Sequence, residues 1–195
     1  FTIYTDLYNY NFQDAVNELA QKIGVTLQTE NYKQFEKINN IKKILTITTE
    51  WYINNLGLEE GFSCREYLKK RNLSDTTIKK FKLGFSYNSK ITLLEFLKSK
   101  SFKESDIIKS NVIKSDKNNK LKDYFYKRLV FPIMDENSNV VGFGGRSIDG
   151  SNPKYINSPE SNYFQKRYLL YNLSNAKIAA RKKNNLLICE GYMDI

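Results

Sequence analysis

The sequence predicts an α+β fold in which helices come first and a small mixed region of strands follows. Apolar residues recur at helical spacing as far as residue 109, and from residue 129 they form short runs bounded by turn residues. A last apolar run near the C-terminal end is followed at once by an acidic residue and a glycine. These observations indicate a subdomain of short helices with a small sheet, and then the start of an α/β domain.

Two amphipathic helices are predicted first, over residues 11–23 and 32–56. In the first helix apolar residues recur at helical spacing, and Gly24 is suited to the cap at its C-terminal end. In the second helix a similar pattern continues to Gly57, where the helix is expected to end.

Four shorter helices follow, and two of them carry a capping signal. Ser63 and Glu66 match a capping box, in which a Ser at the helix start and a Glu three residues later bind each other's backbone. Ser74 can cap the next helix, and Gly84 is expected to terminate it. The four helices are expected at 63–70, 75–81, 91–99 and 103–109, and the polar residues 115–122 predict a loop.

Strands are predicted in the second half of the chain. Leu129–Met134 and Val140–Phe143 are apolar runs joined by the turn sequence Asp-Glu-Asn-Ser-Asn, which predicts a hairpin. After a further turn at 149–153, Ser174 can cap a helix that runs to about Lys183. Other short strands are expected at 154–157, 168–171 and 186–189, the last of them of the fully buried type.

The composition limits the classes of function. The 195-residue chain carries 31 Lys+Arg against 21 Asp+Glu, a net charge of +10, which favours a polyanionic partner such as nucleic acid. The alternative is that lysine is the default surface residue of an Asn- and Ile-rich composition. His is absent, and the two cysteines lie far apart, which excludes His-dependent nucleophile systems and leaves too few soft ligands for zinc. Because no apolar run reaches membrane-spanning length, no membrane partner is expected.

An acidic motif stands directly after the last predicted strand. Glu190 and Gly191 follow the apolar run 186–189, and Asp194 lies four residues beyond Glu190. A carboxylate at the carboxyl end of a buried strand is a common active-site position in α/β folds, and a glycine there lets a ligand approach closely. The alternative is an ordinary turn, since many strands end in Glu-Gly.

A glycine-rich motif, Gly142 to Arg146, follows the hairpin turn. It lacks the Lys-Ser/Thr of a phosphate-binding loop and the helix that follows a dinucleotide-binding motif. The alternative is a strand edge or bulge that needs unusual backbone dihedral angles. Arg146 at its end has the side chain that binds phosphate in a bidentate manner.

Basic residues with aromatic neighbours occur in four segments. Cations for phosphates beside rings for stacking suit a single-stranded nucleic acid. The alternative, a solvated basic face over a Tyr-rich core, fits these segments better when they are taken alone. The segments are 65–71, 124–128, 154–155 and 166–168.

Taken together, these features resemble the bacterial primase family of the DnaG type. The motifs that carry the resemblance follow one another in the family's order over nearly the whole chain. They are the segment 11–24, YLKKRNLS (67–74), IKKFKLGF (78–85), FYKRLVFPI (125–133), GFGGR (142–146), PKYINSPE (153–160), FQK with LY (164–171) and EGYMDI (190–195). Asn72 and Arg167 stand where many members of the family have Gly. The family's zinc ligands and its second acidic motif are absent from the sequence.

The resemblance implies a division of the chain into four parts. Residues 1–30 correspond to the tail of a zinc-binding domain and a linker, and residues 31–60 to a linking helix. Residues 61–165 correspond to the N-terminal basic subdomain of the primase core, and residues 166–195 to the start of a truncated TOPRIM domain. The chain is therefore expected to be a fragment that is inactive alone.

The resemblance also implies roles for individual residues. Glu190 is expected to be a catalytic ligand of Mg²⁺ or Mn²⁺, and Asp194 either shares that catalytic motif or caps or orients the helix that follows. Zn²⁺ is expected only in an N-terminal domain outside this sequence. The family's basic positions, expected to contact nucleic acid or nucleotide, are Arg71, Arg128, Arg146, Lys154 and Lys166, with Asn157 as an additional polar contact.

The activity implied is that of a DNA-directed RNA polymerase that makes short RNA primers for DNA replication. The expected partners are single-stranded DNA template, ribonucleoside triphosphates, the RNA primer and, through a domain outside this sequence, the replicative helicase. The expected location is the cytoplasm, at the replication fork, which agrees with two unpaired cysteines. The alternatives are a nucleic-acid-binding module without catalysis, and another TOPRIM reaction such as strand cleavage, against which the GFGGR and PKYINSPE motifs argue.

Overall fold

The fold is described from a computed structural model, which places residues 10, 12–25, 30–88 and 90–194. The chain divides into two compact units, Phe1–Asn40 and Ile41–Ile195. Helix α1, Phe12–Lys22, lies in the first unit, and helix α2, Glu30–Gly57, begins there. Gly24 has a positive φ of 70° directly after α1, as expected for a C-terminal cap. The four-part division implied by the sequence stays a prediction.

The short helices lie where the sequence predicts them. They are α3, Phe62–Lys70, after a 3₁₀ turn at Glu59–Gly61, then α4, Asp75–Lys80, α5, Leu93–Ser99, and α6, Glu104–Lys109. The Ser74 side chain accepts a hydrogen bond from the Thr77 amide, which confirms the predicted cap of α4. The helix ends before Gly84, because Lys82 takes the left-handed conformation with φ 52°.

The capping box predicted at Ser63 and Glu66 is wrong. Helix α3 begins at Phe62, and its N-cap is Gly61 without any side-chain cap. The cause is the 3₁₀ turn that runs directly into the helix. A Cβ on Gly61 would lie 2.4 Å from the Leu56 carbonyl oxygen, so the backbone there is already packed against the end of α2.

The second unit has six strands among its described residues, and four of them form one antiparallel sheet. In chain order the strands are β1, Gly84–Phe85, β2, Ile113–Ser115, β3, Leu121–Asp123, β4, Arg128–Met134, β5, Val140–Ser147, and β6, Tyr155–Asn157. The four-stranded sheet has the order β1-β4-β5-β6, while β2 and β3 form a separate hairpin. The predicted hairpin of β4 and β5 is confirmed, and so is the α+β fold. The short strand predicted at 154–157 is observed at Tyr155–Asn157.

The loop predicted at 115–122 is the tip of the β2–β3 hairpin, with residues 116–120 as the turn and only 115, 121 and 122 inside the strands. Asp116 holds the turn, since its Oδ1 accepts hydrogen bonds from the amides of Asn118 and Lys120 at 2.9 Å. These bonds and the ammonium of Lys122, 2.7 Å away, lower the pKa of the Asp116 carboxyl to about 2. A polar sequence therefore does not exclude a hairpin, because the polar side chains themselves close the turn.

The strand predicted at 168–171 is wrong. A 3₁₀ turn, Lys166–Tyr168, stands there, and helix α7, Leu173–Lys183, follows. Tyr171 turns inward, where its ring lies 4.9 Å from the Tyr192 ring, so the segment follows the core rather than a sheet edge. The N-cap of α7 is Asn172 with φ 63°, not Ser174.

The four-stranded sheet separates two apolar layers. On one side Val130 and Phe143 pack against Tyr52 of α2 and Phe125, and we call this side the helix face. On the other side Leu129 and Phe131 pack with residues of α3, Cys64 and Leu68 among them. Gly142 and Gly144 lie on that second side, which we call the glycine face.

A buried carboxylate ties the helix face together. Asp123 accepts hydrogen bonds from Tyr52 Oη at 3.0 Å, from Ser86 Oγ at 2.6 Å and from the Phe125 amide at 2.8 Å. Burial raises the pKa of the Asp123 carboxyl to about 6, although these bonds favour its charged form. In the described part of the chain, each helix is too short or too polar to cross a membrane.

Candidate nucleic-acid interface

The glycine motif leaves room for two aromatic rings on the glycine face. A Cβ on Gly142 would lie 2.7 Å from the Phe164 ring, and a Cβ on Gly144 would lie 2.6 Å from the Tyr192 ring. Both distances are far below a van der Waals contact between carbon atoms. Neither glycine has a positive φ, so the alternative of unusual dihedral angles is wrong for them. The motif is needed for close approach, and Arg146 follows on the same face.

Arg146 is held between two tyrosine rings. Its guanidinium carbon lies 4.9 Å from the Tyr67 ring centroid and 5.0 Å from the Tyr155 ring centroid. One Nη donates to the Tyr155 hydroxyl, while the buried Nε has no hydrogen-bond partner. The residue is only 8% exposed. A cation at this depth is stabilised by the faces of the two rings.

Arg71 reaches the same tyrosine from the end of α3. Its Nε donates to the Tyr67 hydroxyl at 3.1 Å, and its guanidinium carbon lies 5.6 Å from the ring centroid. Tyr67 and Arg71 are four residues apart on the helix, so their side chains share one side of it. We call Arg71, Tyr67, Arg146 and Tyr155 the Arg–Tyr cluster. Among the residues that the structure describes, neither arginine forms an ion pair with a carboxylate.

Tyr192 brings the acidic motif to this face. Its ring rests on Gly144 and stacks on Phe131 with centroids 5.1 Å apart. Its hydroxyl donates to Asn157 Oδ1 at 2.7 Å, and Tyr155 lies 6.4 Å away on the other side. Burial raises the pKa of Tyr192 to about 12, so the hydroxyl remains a donor at neutral pH. Asn157 and the backbone beside Glu190 are thereby fixed near the Arg–Tyr cluster.

The buried strand predicted at 186–189 is wrong. Within the described residues this segment pairs with no strand, and Leu187 and Ile188 are 92% and 76% exposed. An apolar run becomes a buried strand only where neighbouring strands offer hydrogen bonds. Here it lines an open cavity of about 630 Å³ together with residues of α7. Glu190 is therefore an exposed residue on a non-helical segment and does not end a strand.

The two acidic residues differ in their surroundings. Asp194 folds back, and its Oδ2 accepts a hydrogen bond from the Gly191 amide at 3.1 Å. This bond comes from a residue before Asp194, so it does not test the two expected roles, a catalytic one and capping of the helix that follows. Over the described residues no three His, Cys, Asp or Glu side chains come close enough together to hold a metal ion. Glu190 offers one free carboxylate, so these residues do not complete the octahedral oxygen shell that Mg²⁺ prefers.

The Arg128 side chain projects from the helix face, opposite to the face of Arg146. Arg128 pairs with Ser147 across β4 and β5, and its Cδ would lie 3.2 Å from a Cβ on Gly145. The neighbouring Gly144 faces the other side of the sheet, where the Tyr192 ring contacts it. Its Nη1 donates to the Lys154 carbonyl at 3.3 Å, and burial lowers the pKa of its guanidinium. Arg128 is therefore close to Lys154 but not to Arg146.

Lys154 and Lys166 present exposed side chains. The Lys154 backbone is fixed at the end of β6 by hydrogen bonds from Arg128 and from the Ser147 amide. The Lys166 amide donates to the Glu160 carboxylate at 3.2 Å. The structure thus connects Arg71, Arg146 and Asn157 through tyrosines on the glycine face. Lys154 and Lys166 are held only through their backbone atoms, and Arg128 lies on the helix face.

Three tyrosines of the site, Tyr67, Tyr155 and Tyr192, were not among the individual site residues predicted from the sequence. All three stand inside the motifs, and Tyr67 also stands four residues before Arg71. The i, i+4 spacing of Tyr67 and Arg71 was the available signal. No sequence signal indicated the contact of Arg146 with Tyr67, because the two positions lie far apart in the sequence and only the fold brings them together.

Comparison with known proteins points to one family. Residues 51–177 match the family model described as DNA primase catalytic core, N-terminal domain. A DNA primase of Clostridium acetobutylicum is 33% identical over 190 residues, which are 95% of this chain and 31% of that protein. The chain spans about a third of the length of the curated relatives it matches.

Solved structures agree with that match. The zinc-binding and RNA polymerase domains of the Aquifex aeolicus primase superpose with a TM-score of 0.75 at 29% identity, over 97% of this chain and 46% of that one. A DnaG primase catalytic domain bound to single-stranded DNA superposes with a TM-score of 0.73 at 31% identity, over 82% of this chain and 52% of that one.

Proposed function

Because the chain belongs to the family of DNA primase catalytic cores, whose N-terminal domain it contains, we propose that it binds single-stranded DNA for RNA primer synthesis. The observation that carries the proposal is the Arg–Tyr cluster. Two guanidinium groups lie on one face of the sheet without a carboxylate partner among the described residues. A buried cation without an anion is costly, and a phosphate would supply the missing charge.

The remaining polar residues extend this surface. Asn157 has its oxygen engaged by Tyr192, so its amide NH₂ is left to donate to a sugar or phosphate oxygen. Lys154 and Lys166 present exposed ammonium groups, which act as point charges on a flexible stem. We infer that Arg128 positions Lys154 through its carbonyl and contacts the strand only indirectly.

Catalysis belongs to the proposal only for the whole protein. Primer synthesis joins ribonucleoside triphosphates to a growing RNA primer on the template, and a divalent cation would stabilise the charge that develops on the phosphates. Glu190 stays the proposed residue for one ligand of Mg²⁺ or Mn²⁺. The described residues do not complete such a site. Zinc, the helicase and the location at the replication fork stay predictions from the resemblance.

The test is binding of a fluorescent oligothymidylate to the 195-residue chain at several salt concentrations. We expect affinity to fall with salt, with a slope of about 0.7 for each phosphate contact in a single strand. Arg71→Ala and Arg146→Ala should each weaken binding roughly tenfold, as expected for loss of a charged hydrogen bond. Arg181→Ala removes the same charge from the last turn of α7 and is the matched control. An equal loss in this control would mean that overall charge, and not the cluster, binds the strand.

The second candidate function is binding without catalysis. The exposed position of Glu190, away from any strand in the described residues, favours it for this chain. Templated incorporation of labelled ribonucleotides by the whole protein distinguishes the two. Intact DNA binding without incorporation would favour the binding module.

A further inference from the structure

Tyr67 contacts both arginines of the Arg–Tyr cluster, although they come from different parts of the fold. Arg71 ends α3 and uses the Tyr67 hydroxyl at 3.1 Å, whereas Arg146 belongs to β5 and uses the ring face at 4.9 Å. One side chain therefore fixes the relative position of two cations that no backbone hydrogen bond joins.

The ring of Tyr67 is itself held in place. It packs against the apolar layer that Leu68, Leu129 and Phe131 form under the glycine face, so it has little freedom to rotate away. A fixed ring preorganises the two guanidinium groups, and preorganised donors lose less entropy when they bind an anion. Without the ring, Arg71 would be an exposed, mobile side chain at the end of a helix.

The two cations also repel each other unless an anion lies beside them. The ion pairs of the described residues leave both arginines out, and the Nε of Arg146 is buried without a partner. A single phosphate that contacts both groups would relieve the repulsion and engage donors from both side chains. Binding by either arginine alone would leave part of this repulsion in place.

We propose that Tyr67 is a positioning residue that makes Arg71 and Arg146 act as one site for a single phosphate group. The proposal rests on the nucleic-acid-binding function inferred above and deepens it. The phosphate belongs either to the DNA strand or to the triphosphate of a nucleotide, since both offer the same oxygen atoms to the two guanidinium groups.

The experiment is a double-mutant cycle on the 195-residue chain. Arg71→Ala, Arg146→Ala and the double variant are compared for binding of a fluorescent oligothymidylate, and for competition by inorganic triphosphate. If the arginines act as one site, the double variant should bind at least about threefold better than the product of the two single losses predicts. Coupling with oligothymidylate alone assigns the phosphate to the strand, and coupling with triphosphate alone assigns it to the nucleotide.

Two substitutions of Tyr67 then test its part. Tyr67→Leu removes hydroxyl and ring, so the coupling should vanish and the two single losses should multiply. Tyr67→Phe removes only the bond to Arg71, so both single losses should shrink together, because a coupled site weakened at Arg71 also loses less when Arg146 is removed. Phe62→Leu is the matched control, because Phe62 stands on the same helix with the single guanidinium of Arg65 6.0 Å from its ring.

The outcomes separate the two proposals. If neither arginine substitution weakens binding, the binding function assigned to the cluster is wrong. If both weaken it but their losses multiply with Tyr67 present, the cluster binds and the role of Tyr67 is wrong. Coupling that persists in Tyr67→Leu would also overturn it. A purely structural role would lower the unfolding temperature of Tyr67→Leu and leave the coupling unchanged.

Discussion

Replacing Gly144 by Ala tests how the acidic motif is attached to the sheet. The new Cβ would lie 2.6 Å from Tyr192 Cε2 and 2.7 Å from its Cζ. Carbon atoms in contact lie about 3.5 Å apart or more, so the ring must move outward by roughly 1 Å. That shift stretches the 2.7 Å hydrogen bond to Asn157 and separates the ring from Phe131.

The magnitude follows from those losses. Overpacking of a well-filled layer costs about 1–3 kcal/mol, and loss of one neutral hydrogen bond costs about 1 kcal/mol. Tyr192 is only partly buried and can yield, so we expect the free energy of unfolding to fall by about 1–3 kcal/mol. Urea denaturation followed by circular dichroism measures this, and the residues near 186–194 should become more sensitive to protease.

The control and the refutation use the same ring. Gly57→Ala adds a Cβ with no atom within 4 Å and should be neutral or slightly stabilising. In a Tyr192→Ala background the clash has no partner, so Gly144→Ala should lose most of its effect. An equal destabilisation in both backgrounds would show that Tyr192 does not occupy the space above Gly144.

Three further outcomes are expected. The pKa of the Asp123 carboxyl is raised to about 6, so between pH 4 and pH 6 the folded chain holds a proton that the unfolded chain has released. The free energy of unfolding should therefore decrease by about 2–3 kcal/mol from pH 4 to pH 6 and stay level above that. Asp123→Asn should remove that falling limb in urea titrations, and a profile that matches the wild type would contradict the assignment. Glu190→Gln should abolish templated ribonucleotide incorporation by the whole protein and leave oligothymidylate binding within about twofold. The reason is that Gln keeps the shape of Glu and loses the charge that a divalent cation requires. Normal incorporation by this variant would remove Glu190 from the proposed metal site. If Asp194 serves to cap the Gly191 amide, Asp194→Asn should retain incorporation and Asp194→Ala should lower it, since Asn keeps an oxygen acceptor. Loss of incorporation in both variants would indicate that Asp194 is a metal ligand.

The sequence predicted those elements whose signal is local. Ser74 caps α4 as expected, and the hairpin of β4 and β5 follows from two apolar runs and a turn. The cap at Ser63 failed because the preceding 3₁₀ turn, stabilised by packing at Gly61, places the N-cap two residues earlier. The strand at 186–189 failed because an apolar run does not reveal whether a neighbouring strand is available.

The candidate site was predictable in composition and not in geometry. The motifs supplied Arg71, Arg146 and Asn157, which the fold connects through tyrosines. The separation of Arg128 from Arg146 depends on strand register, since a residue and its neighbour on a strand project to opposite faces. Register was not available from the residues themselves, and neither was the reason for the glycines, because Phe164 and Tyr192 lie far along the chain.

The bare glycine positions of β5 have one further consequence. From Gly142 to Arg146, the strand itself contributes a single side chain to the glycine face, and Phe164 and Tyr192 cover the rest from other segments. Hydrogen bonding of the strand and the chemistry of the surface above it are therefore encoded at separate positions. Substitutions at residues 164 and 192 would change the surface beside Arg146, while the ladder of β4 and β5 keeps its pairing. The surface above this sheet can therefore be altered without any change in the hydrogen bonding beneath it.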